Sequence, residues 1–270
     1  MAEQKRKGAR TIKDIPKDVL EQLNRGEIEC ANLVEFLAID RIALLKNILE
    51  KHDRMQYFLP VCKVVEKIEN PTSISIAYTV AVGLGEQIYT NNDSVLLTKL
   101  SDEPSDFVRS WAAEITGSKS DLKIADALKK IKPFAADRHF NVRESAWAAV
   151  RHHIVQKPKD AIEILTKWAK DKDENVRRFA SEATRPRGVW CEHIKELKEN
   201  PELGLPILEP LKSDPSRYVQ NSVANWLNDA SKTQPEFVKK LCKRWEKESN
   251  TKETKYIIKR ALRTLEKQSK

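Results

Sequence analysis

The sequence predicts an all-α chain wound as a right-handed superhelix of stacked helix pairs, and three observations predict it. Glycine is scarce, 7 in 270 residues, against an average usage of roughly 7%. Sheets, hairpins and phosphate-cradling loops all consume glycine, so a β-sandwich or a Rossmann-type fold is disfavoured. A short phrase of acid, branched apolar residue, Arg and small residue recurs at a near-constant interval. Prolines stand where the intervening helices should begin.

The elements follow in chain order. Residues 1–12 read as a basic flexible tail, and 13–270 as a single repeat domain of about six to seven helix pairs, because no Gly-, Pro- or Ser-rich linker divides them. Pro16 opens the first helix, and Ile42 and Ile74, 32 residues apart, are the expected anchors of the early pairs. The phrase is clear at Glu103…Val108-Arg109…Ala112, again at Asp137…Val142-Arg143…Ala146, and at Asp171…Val176-Arg177…Ala180. It degenerates at Asp214…Val219-Gln220…Val223 and is faint at Ile258-Lys259…Leu262. Each acid lies five positions before its anchor, in the turn between two helices. The anchor and the small residue four later share a helix face, where a neighbouring pair packs closely. Pro104, Pro158, Pro201, Pro215 and Pro235 mark further starts, and Ala161, Ile162, Leu165 and Trp168 keep helical spacing after Pro158. Helix pairs of roughly 35–45 residues stacked in this way form a HEAT-like solenoid, whose second helices line a concave groove.

Charge is concentrated at the ends. Residues 239–270 carry 12 basic and 4 acidic side chains, a net +8 of the chain's +9, and residues 1–15 carry +3, so the interior is slightly acidic. A clustered cationic end is either a solvated face or a polyanion-binding one. The repeat arginines Arg109, Arg143 and Arg177 pose a similar choice: each bonds a turn acid, or together they form a row facing a phosphate backbone. Trp111, Trp147 and Trp226 fall in second helices, as core or as groove lining, whereas Trp168 and Trp245 fit apolar faces.

Other chemistries lack their residues. No run approaches the ~18 apolar residues of a membrane span, and the basic N-terminus lacks the apolar stretch of a secretory signal. Cys30, Cys62, Cys191 and Cys242 show no CxxC spacing, which argues against zinc and disulfides and for a reduced, cytoplasmic chain. His139, His152 and His153 are not in metal spacing with any cysteine. Neither a metal nor a nucleotide cofactor is expected.

The densest patterns lie toward the C-terminus: Ser181-Glu182-Ala183-Thr184-Arg185-Pro186-Arg187, Tyr218-Val219-Gln220-Asn221-Ser222-Val223-Ala224-Asn225-Trp226-Leu227-Asn228-Asp229 and Ile257-Ile258-Lys259-Arg260-Ala261-Leu262-Arg263. Over about 100 residues they resemble the HEAT-like DNA alkylation-repair glycosylases of the AlkC/AlkD superfamily, the AlkC branch most closely. The resemblance implies excision of positively charged N3-alkylated bases, such as 3-methyladenine and 3-methylcytosine, from duplex DNA in base excision repair, without flipping the nucleotide. It implies a monomer, and three groove carboxylates, carried here onto Glu144, Glu182 and Asp229. Phosphate contacts fall on Arg143, Arg177, Arg178, Arg185, Arg187, Lys259, Arg260 and Arg263, and groove aromatics on Trp147 and Trp226. The chain departs from the family pattern at Ala183 for Gly, at Gln220-Asn221 for Arg-Arg and at Trp226 for His. Loss of the two arginines favours an alternative, a non-catalytic HEAT-repeat module binding distorted or branched DNA.

The chemistry suits the carboxylates. N3-alkylation makes the base a cationic leaving group, so no general acid is required, and acids near the sugar stabilise the oxocarbenium ion and position water. One carboxylate about 4 Å from that cation at an effective dielectric near 20 gives on the order of 4 kcal/mol, about a thousandfold in rate.

Overall fold

The computed structural model describes residues 6–188 and 191–268, which form helices and no strand. They group into two compact units. The first runs to Thr116 and takes in His139–Ser145; the second comprises Gly117–Arg138 and the chain from Ala146 on.

In the first unit lie α1 (Lys17–Arg25), α2 (Leu33–Ala38), α3 (Arg41–Lys51), α4 (Phe58–Val65), α5 (Ser73–Thr90), α6 (Ser94–Ser101) and α7 (Asp106–Gly117). The second holds α8 (Ile124–Ala135), then, after α9 (Phe140–Ala149), α10 (Arg151–Gln156), α11 (Pro158–Trp168) and α12 (Glu174–Ala183). It continues through α13 (Lys195–Glu199), α14 (Leu205–Leu208), α15 (Arg217–Ala230), α16 (Pro235–Glu248), α17 (Lys252–Ala261) and α18 (Arg263–Gln268). The first residues of α9 belong to the first unit and its last turn to the second.

The repeat phrase is a packing code. Val108, Val142, Val176 and Val219 are all buried, as are Ala112, Ala146, Ala180 and Val223 one turn later. The turn acid reaches back to a cation of the preceding pair: Glu103 to Lys51 (2.8 Å), Asp171 to Lys132 (2.8 Å) and Asp214 to Arg177 (2.6 Å). The residue after the anchor closes its own turn. Arg109 donates to the carbonyls of Glu103 and Pro104, and Arg177 to those of Asp171 and Lys172. Gln220 does the same to Asp214, at 2.7 Å. These carbonyls lie just before a helix and have no ladder partner, so a side-chain donor six residues on satisfies them.

Extrapolating the repeat backwards fails at Ile74, which opens α5 and is 69% exposed. α5 starts from a Thr72 capping box. Its buried face is set further along, at Val80, Ala81, Leu84 and Ile88. There Gly83 lies against the Val61 backbone of α4 and Gly85 against Ile115 of α7. Part of the expected basic tail, residues 1–5, lies outside the described residues. From Arg6 the chain is anchored rather than flexible: Arg6 pairs with Glu35 at 2.6 Å, and Asn32 donates to the Ala9 carbonyl.

Candidate active site

α12 and α15 bring two of the expected carboxylates together. α12 starts at an Asp173 cap that accepts from the Asn175 amide, and Glu182 stands in its last turn. Its C-terminal carbonyls are met by Arg151, which donates to the carbonyls of Ala183 (2.7 Å), Arg185 (2.8 Å) and Glu192 (2.8 Å). A cation at a helix C-terminus also suits the helix dipole. Arg185, fixed just beyond, donates from Nη1 to Glu182 Oε1 (2.7 Å) and from Nε to Asp229 Oδ2 (2.8 Å). Asp229 lies in the last turn of α15.

Every oxygen of the pair is engaged, with unequal strength. Glu182 Oε2 accepts from Ser222 Oγ at 2.7 Å and faces Arg178 at 3.4 Å. Ser181 donates to Ser222 and so holds that hydroxyl in register. Asp229 Oδ1 meets Lys232 Nζ at 3.2 Å, and that lysine is exposed. Burial alone would push the Glu182 carboxyl up, but Arg178 and Arg185, helped by Ser222, hold it below the ordinary glutamate value. For Arg185 burial opposes the charge, and Glu182 and Asp229 more than restore it. The result is two carboxylates on one guanidinium, Glu182 and Asp229, 6% and 4% exposed respectively.

Glu144 lies near the start of α9, half-buried, in the first unit. That end of α9 is fixed by Asp106, which accepts from the Cys30 amide (2.8 Å), Asn141 Nδ2 (2.6 Å) and His139 Nδ1 (3.0 Å).

The assigned phosphate contacts divide. Arg177 is committed to Asp214 and its own turn, Arg178 is buried on the Tyr218 ring and Glu182, and Arg185 is neutralised by two acids. Opposite charges 37 to 44 residues away engage Arg177 and Arg185, and a motif read along the chain does not display such partners. Lys259 is exposed, and Arg143, Arg187, Arg260 and Arg263 are part-exposed. Trp147 is half-buried, whereas Trp226 is 0% exposed and packs its benzo edge on Gly204, so it is a core side chain and not a groove aromatic. Trp111 is likewise buried. Gln220 is buried in its turn, so an arginine there would not face solvent. Arg151, Ser222 and Lys232 were not singled out in the sequence. Ser222 lies inside the Tyr218–Asp229 motif, which is a sequence signal; a buried Arg151 capping carbonyls carries none.

Fold and site define an all-helical repeat protein with a buried carboxylate–guanidinium centre. Residues 142–265, which hold that centre and make up a little under half of the chain, match the family described as DNA alkylation repair enzyme. A stretch of 117 residues is 45% identical to the uncharacterised protein YhaZ of Bacillus subtilis (strain 168), covering 43% of this chain and 32% of that protein. The match thus spans about a third of the relative's length. The fold resembles that of Pseudomonas fluorescens alkylpurine DNA glycosylase AlkC, solved bound to DNA containing an abasic site analog: TM-score 0.66, 24% identity, 96% of this chain and 65% of that one. AlkD2 from Streptococcus mutans superposes with TM-score 0.59 at 26% identity, over 76% of this chain and 97% of that one.

Proposed function

We propose that the protein is a DNA glycosylase that excises cationic N3-alkylated bases, 3-methyladenine and 3-methylcytosine, from duplex DNA without base flipping. The observation that carries this reading is the pair of buried carboxylates, Glu182 and Asp229, held on Arg185 within the stretch that matches the alkylation-repair family.

The chemistry needs negative charge and little else. When the N-glycosidic bond breaks, its electron pair passes to the already cationic base, which leaves neutral, and the sugar becomes an oxocarbenium ion. Water then adds at C1′ and its proton passes to a carboxylate or to solvent. Charge fixed in a partly dehydrated site is stronger than in water and needs no reorganisation during the reaction. Asp229 is the acting group in this scheme. Among the described residues its Oδ1 is held only by the exposed Lys232, which in this scheme exchanges onto a DNA phosphate and releases the oxygen. Glu182, sealed by Arg178, Arg185 and Ser222, is a positioning residue. Glu144 is proposed as a further carboxylate on the strength of the family resemblance.

The non-catalytic alternative rests on Gln220-Asn221 in place of two arginines. Gln220 is interior and closes its own turn, so that position removes no surface contact, which supports the excision reading. Its test is incubation of the purified protein with methylated duplex DNA, followed by chromatography of the freed bases. Release of 3-methyladenine is expected, and release of no base at all would overturn the proposal.

A further inference from the structure

The second unit contains a set of guanidiniums that the excision scheme does not use. Arg217, at the start of α15, is exposed, and its Cζ lies 3.5 Å from the centroid of the Tyr256 ring on α17. Arg260, one turn further along α17, is set over the same ring at 5.6 Å. The Tyr256 hydroxyl donates to Asn221 Oδ1 at 2.7 Å, which pins the ring to α15. Arg263 donates to the Arg260 carbonyl (2.6 Å) and to Asn225 Oδ1 (3.0 Å).

What holds these three cations differs in kind from what holds the others. Arg177, Arg185, Arg244 and Lys212 are each paired with carboxylates. Arg217, Arg260 and Arg263 have no carboxylate within 4.0 Å among the described residues, and Arg260 Nε is buried with no hydrogen-bond partner there. An aromatic face or an amide oxygen fixes a guanidinium's position but leaves its full charge. A carboxylate would fix it and cancel it. Like charges gathered and immobilised without counterions are poorly placed for stability alone, and the natural complement of planar donors is an oxyanion that accepts from two at once.

We propose that Arg217 and Arg260, oriented by Tyr256 and joined by Arg263, clamp consecutive phosphodiester groups of one duplex strand crossing α15 and α17. Tyr256 and Asn221 are positioning residues in this clamp. The assignment rests on the proposed function only in taking duplex DNA as the partner. Arg217, Tyr256 and Asn221 extend the contact surface beyond the cations that the sequence motifs indicate.

The test is equilibrium binding of the full chain to an undamaged 20-base-pair duplex across a salt series. Arg217→Ala should weaken binding roughly tenfold at low salt and reduce the log–log salt slope by about 0.9, one phosphate contact. Tyr256→Leu changes no charge, yet should weaken binding by roughly threefold or more, because its guanidiniums lose their seat. Tyr256→Phe keeps the ring and should stay within about twofold of wild type. Arg244→Ala removes one exposed positive charge already paired with Glu209 and should also change affinity by less than about twofold. Equal effects of Arg217→Ala and Arg244→Ala, or wild-type affinity in Tyr256→Leu, would overturn the clamp, as would a wild type that binds no duplex. A wild type that binds duplex but frees no base overturns the excision reading alone, and the variants then still decide the clamp.

Discussion

Arg185 reaches Asp229 across 44 residues of sequence and sets two of its nitrogens, Nε and Nη2, on the same carboxylate oxygen at 2.8 and 2.7 Å. Its remaining Nη1 takes Glu182. One side chain therefore fixes the mutual position of two acids that belong to different repeats, and with Arg178 it keeps Glu182 ionised where burial would otherwise favour protonation.

Removing that side chain exposes the cost of the arrangement. Arg185→Ala leaves two buried carboxylates facing each other, and breaking a buried pair by deleting one partner costs about 3–5 kcal/mol. Urea unfolding should show a midpoint shifted down with an unchanged slope. Since Glu182 is held below its ordinary value, its share of the wild-type stability is present above about pH 4.5 and is lost as pH falls through the folded value.

A second linkage runs in the opposite direction. His139 faces Asp106 through Nδ1 and the Cys30 carbonyl through Nε2, at 3.0 and 2.9 Å. A carboxylate and a carbonyl both favour a donor, so the ring's surroundings favour the imidazolium. Burial lowers its proton affinity, and Asp106 with Glu29 and the Cys30 carbonyl raises it above the ordinary value. The stabilisation is complete below the unfolded value of about 6.5 and is lost as pH rises through the raised folded value. Thermal unfolding followed upward from about pH 6.5 should show this decline in wild type and a flatter profile in His139→Gln.

Gln220 permits a prediction that separates structure from DNA contact. Its amide closes the Asp214 turn as Arg177 closes the turn of the preceding pair. Gln220→Arg should therefore leave the salt dependence of duplex binding unchanged, because the new guanidinium meets turn carbonyls and not phosphate. A slope steeper by about 0.9 would show the position to be a surface one.

Much of this was legible in the sequence, for physical reasons. Val108, Val142, Val176 and Val219 announce themselves because a branched anchor and a small residue one turn later are what close helix packing requires. Ile74 misled because spacing alone does not set a helix face: Glu69 stands five positions before it, but Ser75 and Tyr78 occupy the places of the Arg and the small residue. Glu182 and Asp229 stand in motifs legible in the sequence, whereas the bonds of Arg185 to both of them are not legible there. Its partner lies one repeat away, and a guanidinium's role is decided by the charge opposite it. Trp226 shows the same limit: only the close approach of Gly204 reveals it as core.

The central claim is that Asp229 supplies charge to the transition state while Arg185 holds it in place. Asp229→Asn keeps the shape and removes the charge. The decisive measurement is its single-turnover rate of 3-methyladenine release, with duplex affinity measured in parallel. A loss of about 10²-fold or more in rate is expected from one carboxylate's electrostatic contribution, with affinity for undamaged duplex unchanged or improved because a repulsive charge has gone. A rate equal to that of wild type would contradict the account.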